Sequence, residues 1–517
     1  MSLSYTISRE IIYINLYRII TFIIKEKKKE KDNFPMDSTS TASKVTTNVA
    51  PKLPKIKFLT FNTWGLKHVS KHRKARLRAI ADKLAGEKIS TIRIPGLHDT
   101  TDTFNITDDL DATINTEEIE TETESEPEDY DIVALQEIWC KEDWEYIVFR
   151  CKRRFPYYRI FYAGIISGPG LAILSKIPIE SSFLYRFPIN GRPSAFFRGD
   201  WYVGKSVSVT VLKSVTPDTY PLVILNSHMH APYALQGDAS YNCHRACQAW
   251  DFSRLARLYR QAGYAVIIVG DLNSRPGSLP HKFLTLETGL EDSWLQLHGE
   301  QDIVQIAKMN PIEQLRMGCT TCDSVLNTWR SYLGPNYACR LDYALIDPEK
   351  LRAVDAGVRF TERIPGVGSF SDHFAYSCVL EIQVKADRNH LAVPDEDESR
   401  DILLKRFSAY EEMLSLLHEY MQTAQRQKFF RGLHFFVSML LVVTCIVVVP
   451  FTSKKSSWSS LFWVASAGVI AITGILDGLI AFLFGKSEVR ALTEVELEVL
   501  DAQRGLQSVL ELSRGGN

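Results

Sequence analysis

Short strand-like segments recur along the first three quarters of the chain and predict a mixed core of strands and helices. Residues 56–62 alternate between apolar and polar positions, as half-buried strands do, and 132–135 form a continuous apolar run. Helical stretches lie between some of the strands, notably at 71–84 and 244–262. Five further strand-like segments follow the same pattern: 171–174, 207–212, 222–226, 265–269 and 343–346. This order of elements predicts an α/β or α+β sandwich.

Two long apolar segments near the C-terminus predict a pair of transmembrane helices. Residues 433–451 contain no charge, and residues 461–485 contain one, Asp477. At about 1.5 Å per helical residue, each segment can cross a hydrocarbon core of roughly 30 Å. A charge inside a span is costly unless it is paired or lies near an interface. We therefore expect Asp477 to make a contact between helices or between copies of the chain.

The segments that flank the two spans are basic and amphipathic. The positive-inside rule places both outer ends, and with them the large domain, on the cytosolic side. Residues 401–425 and 487–513 are expected to pair as helices beside the membrane or to lie on its surface, and such a pair would permit a homodimer. The outer flanks carry more positive charges than the connecting loop: Arg426, Lys428, Arg431, Lys486 and Arg490 against Lys454 and Lys455.

Composition divides the chain into further parts. Residues 101–131 contain thirteen acidic residues and no Lys or Arg, so we expect a disordered acidic insertion rather than a folded element. Residues 9–24 are either a weak membrane anchor or an extension upstream of a start at Met36. The predicted parts are a flexible N-terminal tail (1–54), a catalytic domain (55–385), a membrane-proximal amphipathic helix (386–432), two transmembrane helices (433–451 and 461–485) and a C-terminal amphipathic helix (486–517).

The net charge bears on nucleic acid as a partner, and the cysteine spacing bears on a zinc site. The formal net charge of −1 over 517 residues argues against nucleic acid as a partner, because duplex-binding proteins carry a basic excess. The nine cysteines have no repeated spacing. Cys319 and Cys322 form one C-x-x-C without a second pair, so reduced thiols in a cytosol-facing domain are expected rather than a zinc site.

Six short polar motifs follow apolar segments along the chain. Any one of them alone is more typical of a turn. Together they would line one edge of the sandwich with carboxylates, amides and imidazoles, which metal-assisted phosphodiester hydrolysis requires. The motifs are Asn62-Thr63-Trp64-Gly65, Gln136-Glu137-Ile138-Trp139, Asn226-Ser227-His228-Met229-His230-Ala231, Gly270-Asp271-Leu272-Asn273, Arg340-Leu341-Asp342-Tyr343 and Ser371-Asp372-His373-Phe374.

In this order, the motifs resemble those of the endonuclease/exonuclease/phosphatase superfamily over roughly residues 55–385. The first three are similar to the neutral sphingomyelinase branch, which includes the fungal inositol phosphosphingolipid phospholipases C, and the C-terminal hairpin agrees with it. The resemblance implies a four-layer α/β (α+β) sandwich, deoxyribonuclease I-like, followed by two transmembrane helices. The acidic insertion departs from the family pattern without touching the motifs.

The resemblance also implies residues for the metal, the water and the phosphate. Glu137 would bind Mg²⁺, for which Mn²⁺ could substitute. Asn62 would lie beside it, in contact with the metal or the phosphate, and Asp372 would lie at the metal. Asp271 would orient or deprotonate the attacking water, and Asn273 would hold the phosphate.

The histidines receive roles from the same resemblance. His373 would be the catalytic histidine, with Asp342 fixing its tautomer. His228 would stabilise the pentavalent phosphorus or donate to the leaving oxygen. His230 is the alternative, because residues two apart share one face of a continuing strand. Which histidine acts as base and which as acid is not decided by the sequence.

Residues 199–206 match the G-x-x-x-x-G-K-S pattern of a nucleotide-binding loop. Such a loop needs a helix after it, whereas 207–211 alternate like a strand, so nucleotide binding is not expected. The family resemblance implies instead that Asp200 and Lys205 matter for activity. Lys205 would contact the lipid phosphate or head group, and Asp200 would couple a loop movement to catalysis. A structural salt bridge within a hairpin is the alternative.

We therefore expect a phosphoric diester hydrolase of the sphingomyelinase type, anchored in the endoplasmic reticulum or the mitochondrial outer membrane. It would release ceramide and a phosphorylated head group from a membrane sphingolipid, with anionic phospholipids as activators. Another enzyme of the same fold, a nuclease or an inositol-phosphate phosphatase, is the first alternative. A non-catalytic membrane scaffold is the second.

Overall fold

Sixteen strands form three sheets in the computed structural model, which describes residues 53–94, 96–97, 122–124, 127–195, 197–385 and 396–512. The strands are β1 (Lys55–Asn62), β2 (Ser90–Ile92), β3 (Glu122–Glu124), β4 (Ile132–Gln136), β5 (Tyr157–Ile160), β6 (Ala172–Ser175), β7 (Ile179–Arg186), β8 (Ser206–Leu212), β9 (Leu222–His228), β10 (Ala265–Asp271), β11 (Glu291–Asp292), β12 (Asp342–Ile346), β13 (Leu351–Arg359), β14 (Arg363–Ile364), β15 (Gly368–Ser369) and β16 (Ala375–Ile382).

Two of the sheets have six strands each and mixed direction. The first has the order β13-β16-β1-β4-β6-β5, and the second has the order β11-β12-β10-β9-β8-β7. At the centre of each lies one parallel pair, β1 with β4 and β9 with β10, while the neighbouring pairs are antiparallel. Parallel strands end at the same edge, so each pair delivers the residues after its two strands to one place. The third sheet, β15-β14-β2-β3, is made of short strands.

Helices connect the strands and continue beyond them to the C-terminus. Two π-helical turns, Phe283–Glu287 and Ile480–Phe484, and two 3₁₀ turns, Asp238–Ser240 and Pro335–Tyr337, accompany them. The α-helices are α1 (Arg73–Leu84), α2 (Lys141–Cys151), α3 (Asp200–Val203), α4 (Asn242–Gln261), α5 (Leu279–Lys282), α6 (Ser293–His298), α7 (Ile303–Lys308), α8 (Pro311–Gly318), α9 (Glu396–Thr452), α10 (Ser457–Leu479) and α11 (Gly485–Leu512).

The two large sheets pack face to face, and helices cover their outer faces. Phe58 of β1 and Ile224 of β9 lie in the buried cluster between the sheets. The next residue of β1, Leu59, faces the opposite way and packs with Leu77 of α1. On the other side, α4 buries Phe252 against the second sheet. The resulting order of helix, sheet, sheet and helix confirms the predicted four-layer sandwich.

The C-terminal helices continue from the sandwich into the apolar hairpin. Helix α9 runs without interruption for 57 residues, so the predicted membrane-proximal helix and the first span form a single helix. Its first half and α11 pack together on α4, where Tyr410, Leu417, Leu492 and Val499 are buried. The two amphipathic flanks therefore pack together within one chain, and the homodimer stays a prediction.

Two helices of the described chain are long and apolar enough to cross a membrane, Arg400–Thr452 and Ser457–Glu511. Asp477 is paired across the hairpin with Arg431 and, at 2.9 Å, with His434 Nδ1, as expected for a contact between helices. Gly474 lets the helices approach closely, since a Cβ atom there would lie 2.4 Å from the Cβ of Ser438.

The acidic insertion is partly ordered, and the expectation that it forms no folded element is wrong for its end. Glu122–Glu124 forms β3 and pairs with β2. Backbone hydrogen bonds hold an extended strand without apolar side chains, and the Lys88 ammonium lies 3.0 Å from the Glu124 carboxylate. Residues 98–121 of this region, the tail up to residue 52 and residues 386–395 lie outside the described residues.

Candidate active site

The carboxyl ends of the central strands converge at one edge of the sandwich. Asn62 ends β1 and Glu137 follows β4 in the first sheet, while His228 ends β9 and Asp271 ends β10 in the second. In the second sheet Asp271 is the register partner of His228 on one side and of Asp342 on the other. The Asn62 amide joins the two sheets, donating to Asp271 Oδ2 at 3.0 Å and to Glu137 Oε1 at 3.2 Å.

Asp271 lies at the centre of this cluster. Its Oδ2 atom is 3.5 Å from Nε2 of His228 and 3.7 Å from Nε2 of His373. Its Oδ1 atom accepts the backbone N–H of Asn273 at 3.0 Å. Burial raises the pKa of Asp271 to about 6, against the lowering effect of His373. A carboxylate held between two imidazoles is well placed to take a proton from water.

His373 lies between two carboxylates. Its Nδ1 is 2.9 Å from Asp342 Oδ2, and its Nε2 faces Asp271. Burial alone would lower the pKa of His373, but Asp342 and Asp271 outweigh it and raise the pKa well above the usual value. The Cys322 sulfur also lies 3.4 Å from Nε2. Cys322 belongs to the C-x-x-C pair noted in the sequence, but nothing in the sequence predicted that its thiol touches His373.

His228, rather than His230, faces Asp271. The ring of His230 stacks on Tyr241 with centroids 4.0 Å apart, and its Nδ1 is 2.9 Å from the carbonyl oxygen of Ala231. Burial, together with the positive charge of Lys205, lowers the pKa of His228 well below its usual value. The buried Nδ1 of His228 has no hydrogen-bond partner among the described residues.

Backbone geometry at this edge depends on two glycines and on left-handed residues. A Cβ atom on Gly270 would lie 1.9 Å from the carbonyl oxygen of Ser227, and one on Gly65 would lie 2.0 Å from that of Glu137. Glu137 has a φ of 62° and Asn273 a φ of 48°. Such strain in non-glycine residues persists where the surroundings fix the conformation, and it is concentrated at functional sites.

Comparison with known proteins assigns the chain to a family. Residues 59–373 match the Endonuclease/Exonuclease/phosphatase family. The chain belongs to that family. It is 61% identical over 459 residues to "Inositol phosphosphingolipids phospholipase C" of Saccharomyces cerevisiae, which covers 88% of this chain and 91% of that protein.

Two further relatives extend the comparison beyond budding yeast. A protein of the same name from Schizosaccharomyces pombe is 32% identical over 87% of this chain and 94% of its own length. "Sphingomyelin phosphodiesterase 2" of Rattus norvegicus is 26% identical over 72% of this chain and 83% of its own length. The predicted membership of the neutral sphingomyelinase and inositol phosphosphingolipid phospholipase C branch of the endonuclease/exonuclease/phosphatase family is confirmed.

The acidic residues at one end of this family site suit a divalent cation. Burial and, next, the Asp372 carboxylate raise the pKa of Glu137 to about 7. A buried carboxylate whose ionisation a neighbouring carboxylate disfavours is stabilised by a hard cation such as Mg²⁺. The donor set of Glu137, Asn62 and Asp372 therefore fits the expected metal. Arg330 also pairs with Asp372, at 2.7 Å, and the sequence did not predict this partner.

A second grouping could also present ligand atoms to a metal. Asp271, Asp342 and His373 each place one such atom within 4.8 Å of the others. Both ring nitrogens of His373 already face a carboxylate in that group, which accounts for the closeness without an ion. The metal site at Glu137, Asn62 and Asp372 stays a prediction.

Asp200 and Lys205 form a buried ion pair beside the site. Lys205 Nζ lies 3.1 Å from Asp200 Oδ1, and the Tyr233 hydroxyl donates to Asp200 Oδ2 at 2.6 Å. A strand, β8, follows this segment directly, as predicted in the argument against nucleotide binding. The Trp201 ring of α3 lies 5.1 Å from the ring of Phe484 at the base of the hairpin.

Proposed function

We propose that this protein is a Mg²⁺-dependent sphingolipid phospholipase C. It would hydrolyse inositol phosphosphingolipids, sphingomyelin or both, to ceramide and a phosphorylated head group at a membrane surface. The observation that carries the proposal is Asp271 held between His228 and His373, at the converging strand ends of a chain whose relatives are named as sphingolipid phosphodiesterases.

The proposed chemistry begins with a water molecule next to Asp271. Asp271 takes one proton from the water while the water oxygen forms the bond to phosphorus. The bond from phosphorus to the ceramide oxygen breaks, and the departing oxygen is protonated, so that one proton is taken up and one is given back. Asp342 keeps the ring of His373 oriented towards Asp271. Asn273 and His228 are assigned to the phosphate, where His228 donates to an oxygen of the pentavalent phosphorus or to the leaving oxygen.

Glu137, Asn62 and Asp372 are the residues proposed to hold Mg²⁺. Bound there, the ion would supply positive charge that neutralises the scissile phosphate. Lys205 is proposed to contribute further positive charge, since it acts to lower the pKa of Glu137 from a buried position. Its partner Asp200 would keep it in place.

The hairpin is proposed to hold the catalytic domain at its substrate's membrane. The helical segments before and after the apolar hairpin both pack on α4, so they leave the membrane on the side of the catalytic domain. The positive-inside rule makes that side the cytosol. Basic residues near the membrane, such as Arg426 and Lys428, would attract anionic phospholipids as activators. The endoplasmic reticulum and the mitochondrial outer membrane stay predicted locations.

The reaction is tested by identifying its products in ¹⁸O-labelled water. The full-length protein is incubated with inositol phosphosphingolipid in mixed micelles containing Mg²⁺. We expect unlabelled ceramide and a phosphoinositol that carries one ¹⁸O atom, because water attacks phosphorus. Intact lipid, with phosphate released from soluble inositol phosphates or nucleotides from DNA instead, would favour a phosphatase or a nuclease.

A further inference from the structure

A cavity of about 740 Å³ opens between the candidate active site and the membrane-proximal part of α9. Asn273, which is proposed to hold the phosphate, lines it on one side. Glu412, Ser415 and Glu419 of α9 line it on the other. The space beside the scissile phosphate is therefore enclosed in part by the helix that continues into the first span.

Buried positive charge marks the end of the cavity near the active site. Arg245 lines this end and is only 6% exposed. Its guanidinium donates to the carbonyl oxygen of Ser240 at 2.7 Å and to Asn242 Oδ1 at 2.6 Å. Within the described part of the chain, no carboxylate lies within ion-pairing distance of Arg245. A buried cation without a counter-ion suits the phosphate of a substrate.

Hydrogen-bond acceptors mark the end formed by α9. Residues three and four apart lie on one face of a helix, so Glu412, Ser415 and Glu419 form a single polar row. Glu412 is paired with Lys282 at 2.8 Å. Glu419 has no ion-pair partner among the residues that the structure describes, and its carboxylate is exposed. An ionised carboxylate only accepts hydrogen bonds, and hydroxyl groups can donate them.

We propose that this cavity binds a polyhydroxylated head group, with Glu419 and Ser415 bonded to its hydroxyls and Arg245 directed towards its phosphate. The inference rests on the proposed function and names the residues that select the substrate within it. The helix that anchors the protein would thereby also take part in selecting the lipid by its head group.

A quaternary ammonium head group fits the cavity less well. Such a group has no hydrogen-bond donors or acceptors and is recognised by the faces of several aromatic rings. Tyr233 is one of the aromatic residues in the lining, but its ring already lies 5.1 Å from the guanidinium of Arg198, and its hydroxyl donates to Asp200. A choline group would attract the carboxylates of the row on α9 by its charge but would donate no hydrogen bond to them.

The test compares two lipids that differ in their head groups. kcat/KM is measured for inositol phosphosphingolipid and for sphingomyelin with the full-length protein in the same mixed micelles. Glu419→Gln should lower kcat/KM about tenfold for the inositol lipid, the effect of losing a hydrogen bond to a charged group, and much less for sphingomyelin. Glu411→Gln is the matched control, because Glu411 is exposed on the same helix outside the cavity lining. It should change neither value.

Product inhibition gives a second and independent readout. Inositol 1-phosphate should inhibit the wild type more strongly than phosphocholine, and Glu419→Gln should remove that difference. The inference is overturned if Glu419→Gln affects both lipids equally, or neither, while the wild type cleaves the inositol lipid. A wild type that cleaves neither lipid would overturn the proposed function itself.

Discussion

His373 Nδ1 lies 2.9 Å from Asp342 Oδ2, and this contact sets the orientation of the ring that faces Asp271. The two residues are thirty-one positions apart and meet because Asp342 begins β12 beside β10, while His373 precedes β16 of the other sheet. The contact thus joins the two halves of the sandwich at the site.

Asp342→Asn should reduce kcat at least about a hundredfold with little change in KM. The amide keeps the shape of the side chain but no longer stabilises a positive imidazole or fixes its tautomer. Steady-state kinetics on the lipid substrate measure the effect. Asp355→Asn, at an exposed aspartate of β13, is the matched control. A kcat near that of the wild type would show that Asp342 has no role in the reaction.

A double-mutant cycle distinguishes a role in activity from a purely structural role for the ion pair of Asp200 and Lys205. Lys205→Met leaves the Asp200 carboxylate buried and unpaired, so it should cost about 3–5 kcal/mol of stability as well as activity. Adding Asp200→Asn should restore the thermal stability but not the activity, because the charge beside Glu137 stays absent. Recovery of both stability and activity would favour the purely structural salt bridge.

Metal binding can be measured without following the reaction. Addition of Mg²⁺ should raise the thermal unfolding temperature of the wild type, since a ligand that binds only the folded state stabilises it. Glu137→Gln should abolish the shift, and chelation should reverse it. The control Glu142→Gln replaces an exposed carboxylate on α2 and should keep the shift. Equal shifts in both variants would place the ion elsewhere.

The candidate site was predictable from sequence where it depends on strand ends. Asn62, Glu137, His228 and Asp271 each end or follow a strand, and the strand pattern places such residues at one edge. Other contacts of the site come from loops whose path the sequence does not specify. The approach of Cys322 to His373 is one such contact, and it joins positions 51 residues apart.

In the C-terminal region, too, the sequence pattern predicted the elements but not the contacts between them. Its apolar segments predicted two spans, and the charged amphipathic segments beside them predicted two flanking helices. An apolar stripe shows that something covers a helix but not what covers it, so the packing of the flanks on α4 was not predictable. Nor was the uninterrupted course of α9, because the change from amphipathic to apolar composition occurs within one helix.

The close approach of the hairpin helices depends on Gly474. Gly474→Leu should lower the thermal stability of the detergent-solubilised protein by about 1–3 kcal/mol, because the added side chain would collide with Ser438. Gly468 on the same helix has no atom within 4 Å of an added Cβ. Gly468→Leu should therefore be tolerated. Equal effects of the two changes would contradict the described helix contact.

Stability should depend on pH through Asp251 on α4. Burial and, next, the Glu498 carboxylate of α11 raise the pKa of Asp251 to about 7. The folded chain keeps this proton at pH values where the unfolded chain, with a pKa of about 3.9, has lost it. The contribution of Asp251 to the free energy of unfolding therefore falls as the pH rises from about 4 to about 7.

Asp251→Asn should remove that fall. It should stabilise the protein at pH 8, by at most about 4 kcal/mol and by less in practice because Asp251 is partly exposed. At pH 4 the variant and the wild type should unfold alike. Denaturant titrations at the two pH values provide the comparison. If the wild type and the variant lose the same stability between pH 4 and pH 8, Asp251 keeps an ordinary pKa in the folded chain.

Ceramide release shows whether this site cleaves a sphingolipid. The rate is measured from inositol phosphosphingolipid and from sphingomyelin in mixed micelles, for the wild type and for His373→Ala, with Mg²⁺ and with chelator. We predict release from at least one lipid by the wild type with Mg²⁺, and its loss with either the substitution or the chelator. No release from either lipid by a folded wild type, or release that survives His373→Ala, would show that this site does not carry out the proposed reaction.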